Sequence, residues 1–348
     1  MNNISAIKLK QKEPMMVTWD TGRRCNFDCS YCDLSRHDTF SPLTSLKSLQ
    51  LTYKFIQEYT NLYNQPNANI AFTGGEPTVN PNFWQLIDTI ENFTLGLTTN
   101  GTFPTNKIDT ILNKFVAATI SWHSEIDQKL KDRAIENAIL LSAAGFNVRV
   151  NVMMHTDCWN ECIQAYDKLT SAGVTANAVI IGDGNLGSTE FYKDATGTLR
   201  RTSHSYTEEQ QLWYFNIKGL DTNIINDIKS GNQLPRSCCG NRDLMGKCNG
   251  CWTDITAVNT NFKGWFCSVN KYFMHIDQHT GNVYHHQTCK AKFNNERGPI
   301  GNLKNTDLIL DYVSKNANNT IVCPNLRCGC GMCAPKAQNK SELDRLGY

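Results

Sequence analysis

Three cysteines near the start of the chain, Cys25, Cys29 and Cys32, are the residues whose type and spacing speak most directly of chemistry. Thiolates are soft ligands, and three on one short loop can grip a single metal centre. A cubane iron-sulfur cluster usually takes four thiolates, so three with no obvious fourth leave one iron with a position open to a second molecule. An open metal position means chemistry rather than support. Zinc is the competing reading, because Cys29 and Cys32 alone have the spacing of a zinc knuckle.

The composition bounds what else the chain can be. It has 348 residues, 40% of them apolar, enough for one large or two ordinary domains with a packed core. The net charge of +2 is spread along the sequence, so no nucleic-acid-binding arm or polybasic membrane patch is indicated. The first residues hold no apolar run of signal-peptide length and no later run approaches a membrane span, which points to a cytoplasmic protein. Fifteen cysteines is many for that compartment, and an odd number does not fit a fully paired disulfide framework, so metal binding leads. Cys158 and Cys162 stand apart and read as small buried apolar residues.

The elements that must position the first three cysteines follow from hydrophobic periodicity. Strands are expected at 17–20, 69–72, 96–99, 117–122, 147–153 and 176–181, with helices at 44–63, 81–92, 105–114, 127–144 and 160–172 between them. Strict alternation implies parallel pairing, in a full or partial barrel or in a doubly wound sheet, and either gathers ligands at the carboxyl ends of its strands. The cysteine loop follows the first strand. Phe72-Thr73-Gly74-Gly75-Glu76-Pro77 follows the second, where glycines permit close backbone approach and a carboxylate can be aimed above the sheet. We expect a core domain over 1–182, a linking segment with one helix over 183–235, and a cysteine-rich domain over 236–348, where glycine and asparagine abound and helical period is lost. Asp183 and His123 stand at strand ends, where a catalytic acid or base belongs, and either is also a plausible loop-capping residue.

In combination, Cys25-x-x-x-Cys29-x-x-Cys32 with Tyr31 inside it, the Gly74-Gly75-Glu76 turn, and Thr98-Thr99-Asn100-Gly101 after the third strand resemble the radical S-adenosylmethionine superfamily over about residues 16–181. The resemblance implies an α/β fold built as a partial (β/α)6 TIM-like barrel. It implies a [4Fe-4S] cluster whose open iron is chelated by S-adenosylmethionine, an external one-electron reductant such as flavodoxin or ferredoxin, and a 5'-deoxyadenosyl radical that abstracts hydrogen from substrate. By position, Gly74, Gly75 and Glu76 would meet the cofactor's amino group and Tyr31 would lie beside its adenine. Asn100 belongs to the same set, and Ser121 and Asn151 match places where relatives contact ribose or carboxylate, although each also reads as a plain strand-end polar residue.

The tail is similar to the SPASM and twitch extensions of such enzymes, which form a small cysteine-rich α+β domain holding auxiliary clusters. Trp265-Phe266-Cys267 is followed by Gly281-Asn282-Val283-Tyr284-His285-His286, by Cys289, and by Cys323, Cys328, Cys330 and Cys333. Where the family places a cysteine this chain has His286, with Cys289 three positions on; thiolate suits iron-sulfur better, so Cys289 is preferred. Cys248 and Cys251, with Cys238 and Cys239 before them, could serve a further centre, so one or two auxiliary clusters are expected, with zinc as the alternative. An auxiliary cluster would take the second electron from the substrate. The resulting expectation is oxidative modification of a peptide or protein side chain. A small molecule such as a sugar, amino acid or nucleoside is the alternative, favoured by the shortness of the 24 residues ahead of Cys25. A zinc-stabilised binding module is the non-enzymatic reading.

Overall fold

The alternation is realised as parallel strands backed by helices. A computed structural model describes residues 6–7, 14–32, 37–181, 191–193, 199–201, 206–219, 261–326 and 334–348. The strands β1 (Met16–Asp20), β2 (Asn69–Thr73), β3 (Thr94–Thr99), β4 (Ala117–Trp122), β5 (Asn147–Met154) and β6 (Thr175–Ile180) lie side by side in chain order, every neighbouring pair parallel. Between them run α1 (Leu46–Leu62), α2 (Pro81–Thr89), α3 (Ile108–Lys114), α4 (Gln128–Ala143) and α5 (Trp159–Ser171). This is the partial TIM-like barrel that the resemblance implies.

Local chemistry sets the element ends. Ser45 caps α1 by accepting from Ser48 N, and Asp127 caps α4 by accepting from Lys129 N, each satisfying an otherwise orphaned amide. The second helix stops at Thr89, short of the expected 92, because Ile90 turns to an extended conformation and buries its side chain.

Two further features were not expected. The strand β7 (Phe273–Asp277) pairs in parallel with β1, from Phe273 opposite Met16 to Asp277 opposite Asp20. Antiparallel β8 (Asn282–Tyr284) and β9 (Gly301–Asn302) follow outside it, so one nine-stranded sheet runs β9-β8-β7-β1-β2-β3-β4-β5-β6 and is open between β9 and β6. The helices α6 (Glu208–Lys218), at the β6 side, and α7 (Thr306–Asn316), against α1, complete this layer.

The two faces of the sheet differ in kind. Val17, Trp19, Ile70, Phe72, Leu95, Leu97, Ile120, Val150 and Val152 are buried in one apolar core that also takes in Met274, Ile276, Ile309 and Val313. Phe72 is central to it, 5.4 Å from the Trp19 ring and 5.3 Å from Phe83 in an edge-on contact; each such pair adds about 1 kcal/mol beyond area burial. The alternate residues, Thr18, Asp20, Thr73, Thr98, Thr119, Ser121, Arg149, Asn151 and Asn177, share the opposite face. Parallel sheets are ordinarily apolar on both sides, so a polar face marks a surface that meets something other than packed side chains. A smaller antiparallel sheet joins 6–7, 336–337, 266–267 and 321–322 in that order.

Candidate metal and cofactor site

The cysteine loop leaves the carboxyl end of β1 and is pinned by its own backbone. Cys25 N donates to Asp38 O at 2.8 Å, Asp38 N donates to Arg23 O at 2.9 Å, and Cys32 N donates to Cys29 O at 3.1 Å. Cys25, Phe27 and Cys29 form a buried cluster against which Tyr31, Cys32, Ile126 and Leu130 pack. Burial pushes the Cys25 thiol up to about 12 and raises Cys29 as well, so both are neutral until a cation arrives.

The donor set fits the implied cluster. Three thiols of one loop share an apolar pocket, and Phe27 N donates to Cys25 Sγ at 3.4 Å, a contact that stabilises a thiolate.

The glycines of the second turn owe their identity to this loop. A Cβ on Gly75 would stand 2.2 Å from Arg23 O and 2.5 Å from Arg24 O, and one on Gly74, at φ +129°, 2.6 Å from Gly22 O. Their backbone completes the approach: Gly75 N donates to Gly22 O and Glu76 N to Arg24 O, each at 2.8 Å. Glu76 then ties three loops together. Its carboxylate is 3% exposed and accepts from Thr78 N, Thr78 Oγ1, Thr99 Oγ1 and Asn100 N. Burial raises its pKa, and the four hydrogen bonds work against that rise. Asn100 continues the link, donating from Nδ2 to Asn26 Oδ1 at 2.7 Å, while Asn26 donates to Thr102 Oγ1 at 3.0 Å.

Across the loop, Tyr31 and His123 stack at 5.9 Å between centroids, and the Tyr31 hydroxyl and His123 Nδ1 share a hydrogen bond of 2.5 Å. The same nitrogen lies 3.4 Å from Cys29 Sγ. Burial lowers the His123 pKa to about 4, so it braces the cysteine loop as a neutral ring. Glu125 closes the ring, accepting from Ser30 N at 3.0 Å and from His155 Nε2 at 3.2 Å. Burial opposes its charge, but these bonds prevail and hold the carboxyl at about 2. Glu125, His155, Asn26 and Thr102 escaped the sequence reading; their signal was position, directly after a strand or inside the motif.

Ser121 and Asn151 sit opposite each other in register on β4 and β5, on the polar face, and Asn177 Nδ2 donates to Asn151 Oδ1 at 3.3 Å. In the tail, Cys267 and Cys289 lie in one buried cluster with Ala334 and Ile321. Cys323 adjoins it, its N–H on Trp265 O at 2.7 Å, and Asn325 Nδ2 donates to Cys289 O. His286 Nδ1 accepts from Thr288 N, and its ring stands 5.0 Å from Phe273, which packs against the same cluster. Asp183, Cys238, Cys239, Cys248, Cys251, Cys328, Cys330 and Cys333 fall outside the described residues.

Residues 19–190 match the model of the radical SAM superfamily. Mycofactocin maturase MftC of Mycobacterium tuberculosis is 27% identical over 164 residues, covering 40% of this chain and 38% of the relative, so the match spans less than half of that protein. Among solved structures, Streptococcus suis SuiB aligns with 86% of this chain and 65% of its own at 14% identity and a TM-score of 0.48. The AdoMet-bound anSMEcpe aligns with 88% of this chain and 83% of its own at 15% identity and a TM-score of 0.48. Among the described residues no helix is long and apolar enough to cross a membrane.

Proposed function

The chain belongs to the radical SAM superfamily, and on that premise we propose that it oxidatively modifies a side chain of a peptide or protein substrate. A [4Fe-4S] cluster with bound S-adenosylmethionine supplies the radical that removes a hydrogen atom. The chain's own residues hold and orient. Cys25, Cys29 and Cys32 are the ligands of that cluster, Glu76 and Asn100 set the height of the two turns above the sheet, and Tyr31 with His123 covers the loop from the β4 side.

The observation that carries the oxidative reading is the burial of Cys267 and Cys289 in one cluster against the first residue of β7, with Cys323 directly after the strand that pairs with 266–267. One or two auxiliary clusters held there, with Cys248, Cys251, Cys328, Cys330 and Cys333 completing the ligands, would accept the second electron from the substrate radical. A peptide substrate is supported by the likeness to a protein named as a maturase. The test is an anaerobic assay of 5'-deoxyadenosine release, against peptide pools and against pools of sugars, amino acids and nucleosides. Release coupled to a peptide whose mass falls by a pair of hydrogens supports the proposal, and coupling to a metabolite alone contradicts it.

A further inference from the structure

Cys25 and Cys29, four residues apart on one loop, meet different neighbours. Cys25 Sγ accepts from Phe27 N at 3.4 Å, a backbone contact that almost any residue at 27 would supply. Cys29 Sγ lies at the same distance from Nδ1 of His123, a side chain brought from another part of the chain, directly after β4. Two other rings hold that imidazole: Phe27 meets it edge-on at 5.6 Å and 80°, and Tyr31 lies over it at 5.9 Å and 21°. Tyr31 in turn stands 6.3 Å from His155, whose Nε2 is 3.2 Å from Glu125 Oε1.

The chemistry of the pair fixes where the hydrogen lies. A thiol can donate to a ring nitrogen, but a sulfur ligated to iron is a thiolate and accepts only. A bare Nδ1 would set two lone pairs against each other beside the apolar cluster of Cys25, Phe27 and Cys29, whereas an Nδ1–H makes a hydrogen bond across the same 3.4 Å. Tyr31, whose hydroxyl shares a hydrogen bond with that nitrogen, is compatible with this arrangement, because its oxygen accepts as well as its O–H donates. A hydrogen bond to a ligating sulfur draws electron density from the cluster and favours its reduced form.

We propose that His123 is a positioning residue for electron entry: its Nδ1–H donates to Cys29 Sγ and raises the reduction potential of the cluster on the first loop. The inference rests on the radical reading only for the iron on that loop, and the substrate does not enter it. Nδ1 is thereby committed to a sulfur and a hydroxyl, and is not the base that a strand-end position suggested. The effect on the cluster comes through Cys29, so the residue tunes how readily an external one-electron donor reduces the centre, without touching the reacting atoms.

A redox titration followed by electron paramagnetic resonance tests it, on the anaerobically reconstituted full chain without S-adenosylmethionine or substrate. The signal to follow is the one that the Cys25→Ala, Cys29→Ala, Cys32→Ala triple variant lacks, which sets any auxiliary cluster aside. His123→Phe keeps a ring and loses the donor. There we expect the ratio of reduced to oxidised cluster at a fixed potential to fall about tenfold, a shift of about 59 mV to more negative values for one electron. An asparagine places its amide nitrogen where Nδ1 stands and a glutamine where Nε2 stands, so His123→Asn should restore the wild-type potential and His123→Gln should not. Iron and sulfide at wild-type content show that each variant still holds its cluster, and if His123→Phe does not, the Asn and Gln pair decides. An unchanged potential in His123→Phe, or equal potentials in the Asn and Gln variants, overturns the proposal. So does loss of iron from all three variants, which would make His123 a brace of the loop alone. The measurement needs no turnover: a failed peptide assay leaves it unaffected, whereas a wild type without the signal would sink the iron-sulfur reading itself and this inference with it.

Discussion

The loop of Cys25, Cys29 and Cys32 and the cluster of Cys267 and Cys289 at the small sheet both bring thiols into apolar surroundings, but they are held in different ways. The first is locked by side chains: Glu76 accepts four hydrogen bonds, Asn26 and Asn100 pair, and Glu125 grips Ser30 and His155. The second is held chiefly by backbone pairing, and both keep buried polar atoms without a hydrogen-bond partner among the described residues, Arg23 Nε and Ser30 Oγ at the first and Ser268 Oγ, Asn270 Oδ1 and His285 Nε2 at the second. Buried polar atoms of this kind each cost about 1–3 kcal/mol when unmet. The two sites therefore differ in what ties them, side chains reaching across loops at the first and strand pairing at the second.

The largest effect that would break this contrast is at Gly75. Gly75→Ala places a methyl against the Arg23 and Arg24 carbonyls, and because backbone cannot yield as a side chain can, we expect a loss of about 3 kcal/mol or more and failure to retain iron. Denaturant unfolding of the metal-free chain and iron content after reconstitution check it. Next is Glu76→Gln, which turns an acceptor-only group into one with a donor facing Thr99 or Asn100. Unfolding should report a loss of about 2–3 kcal/mol, with weaker binding of S-adenosylmethionine by dialysis. In the tail, Cys267→Ser should lower iron and abolish the oxidised product while 5'-deoxyadenosine release continues, a split that the Cys25→Ser variant should not show.

Smaller is the pH response of Glu125. Its carboxyl is held at about 2 against an ordinary 4.5, so its contribution is present above the ordinary value and is lost as pH falls from about 4.5 through about 2. Glu125→Gln should therefore be less stable than wild type near neutrality by no more than about 1 kcal/mol, the group being only partly shielded from water, and the difference should vanish as pH falls through that window. Unfolding curves of both proteins across the range decide it; a constant difference would contradict the assignment.

Six parallel strands and their helices were legible because hydrophobic periodicity is local and each element announces its own ends. Cys25, Gly75 and Glu76 were legible as a contiguous motif. The reason for Gly75 was not, since the atoms that exclude a side chain belong to Arg23 and Arg24 on a different loop. The strand β7 was not legible either: five residues, Phe273–Asp277, pair with a strand at the opposite end of the chain, and no local pattern encodes so distant a partner. Glu125 and His155 became functional candidates only when the ends of β4 and β5 were seen to converge on Ser30 and Tyr31.

The central claim is that the first loop holds an iron-sulfur cluster independently of the tail. Iron and acid-labile sulfide should be measured, anaerobically and side by side, in wild type and in the Cys25→Ala, Cys29→Ala, Cys32→Ala triple variant. The account predicts that the variant loses about four irons and four sulfides per chain, the content of one cubane, together with all 5'-deoxyadenosine release, while the remaining iron stays. Unchanged iron in the variant, or zinc in place of iron in the wild type, would contradict it.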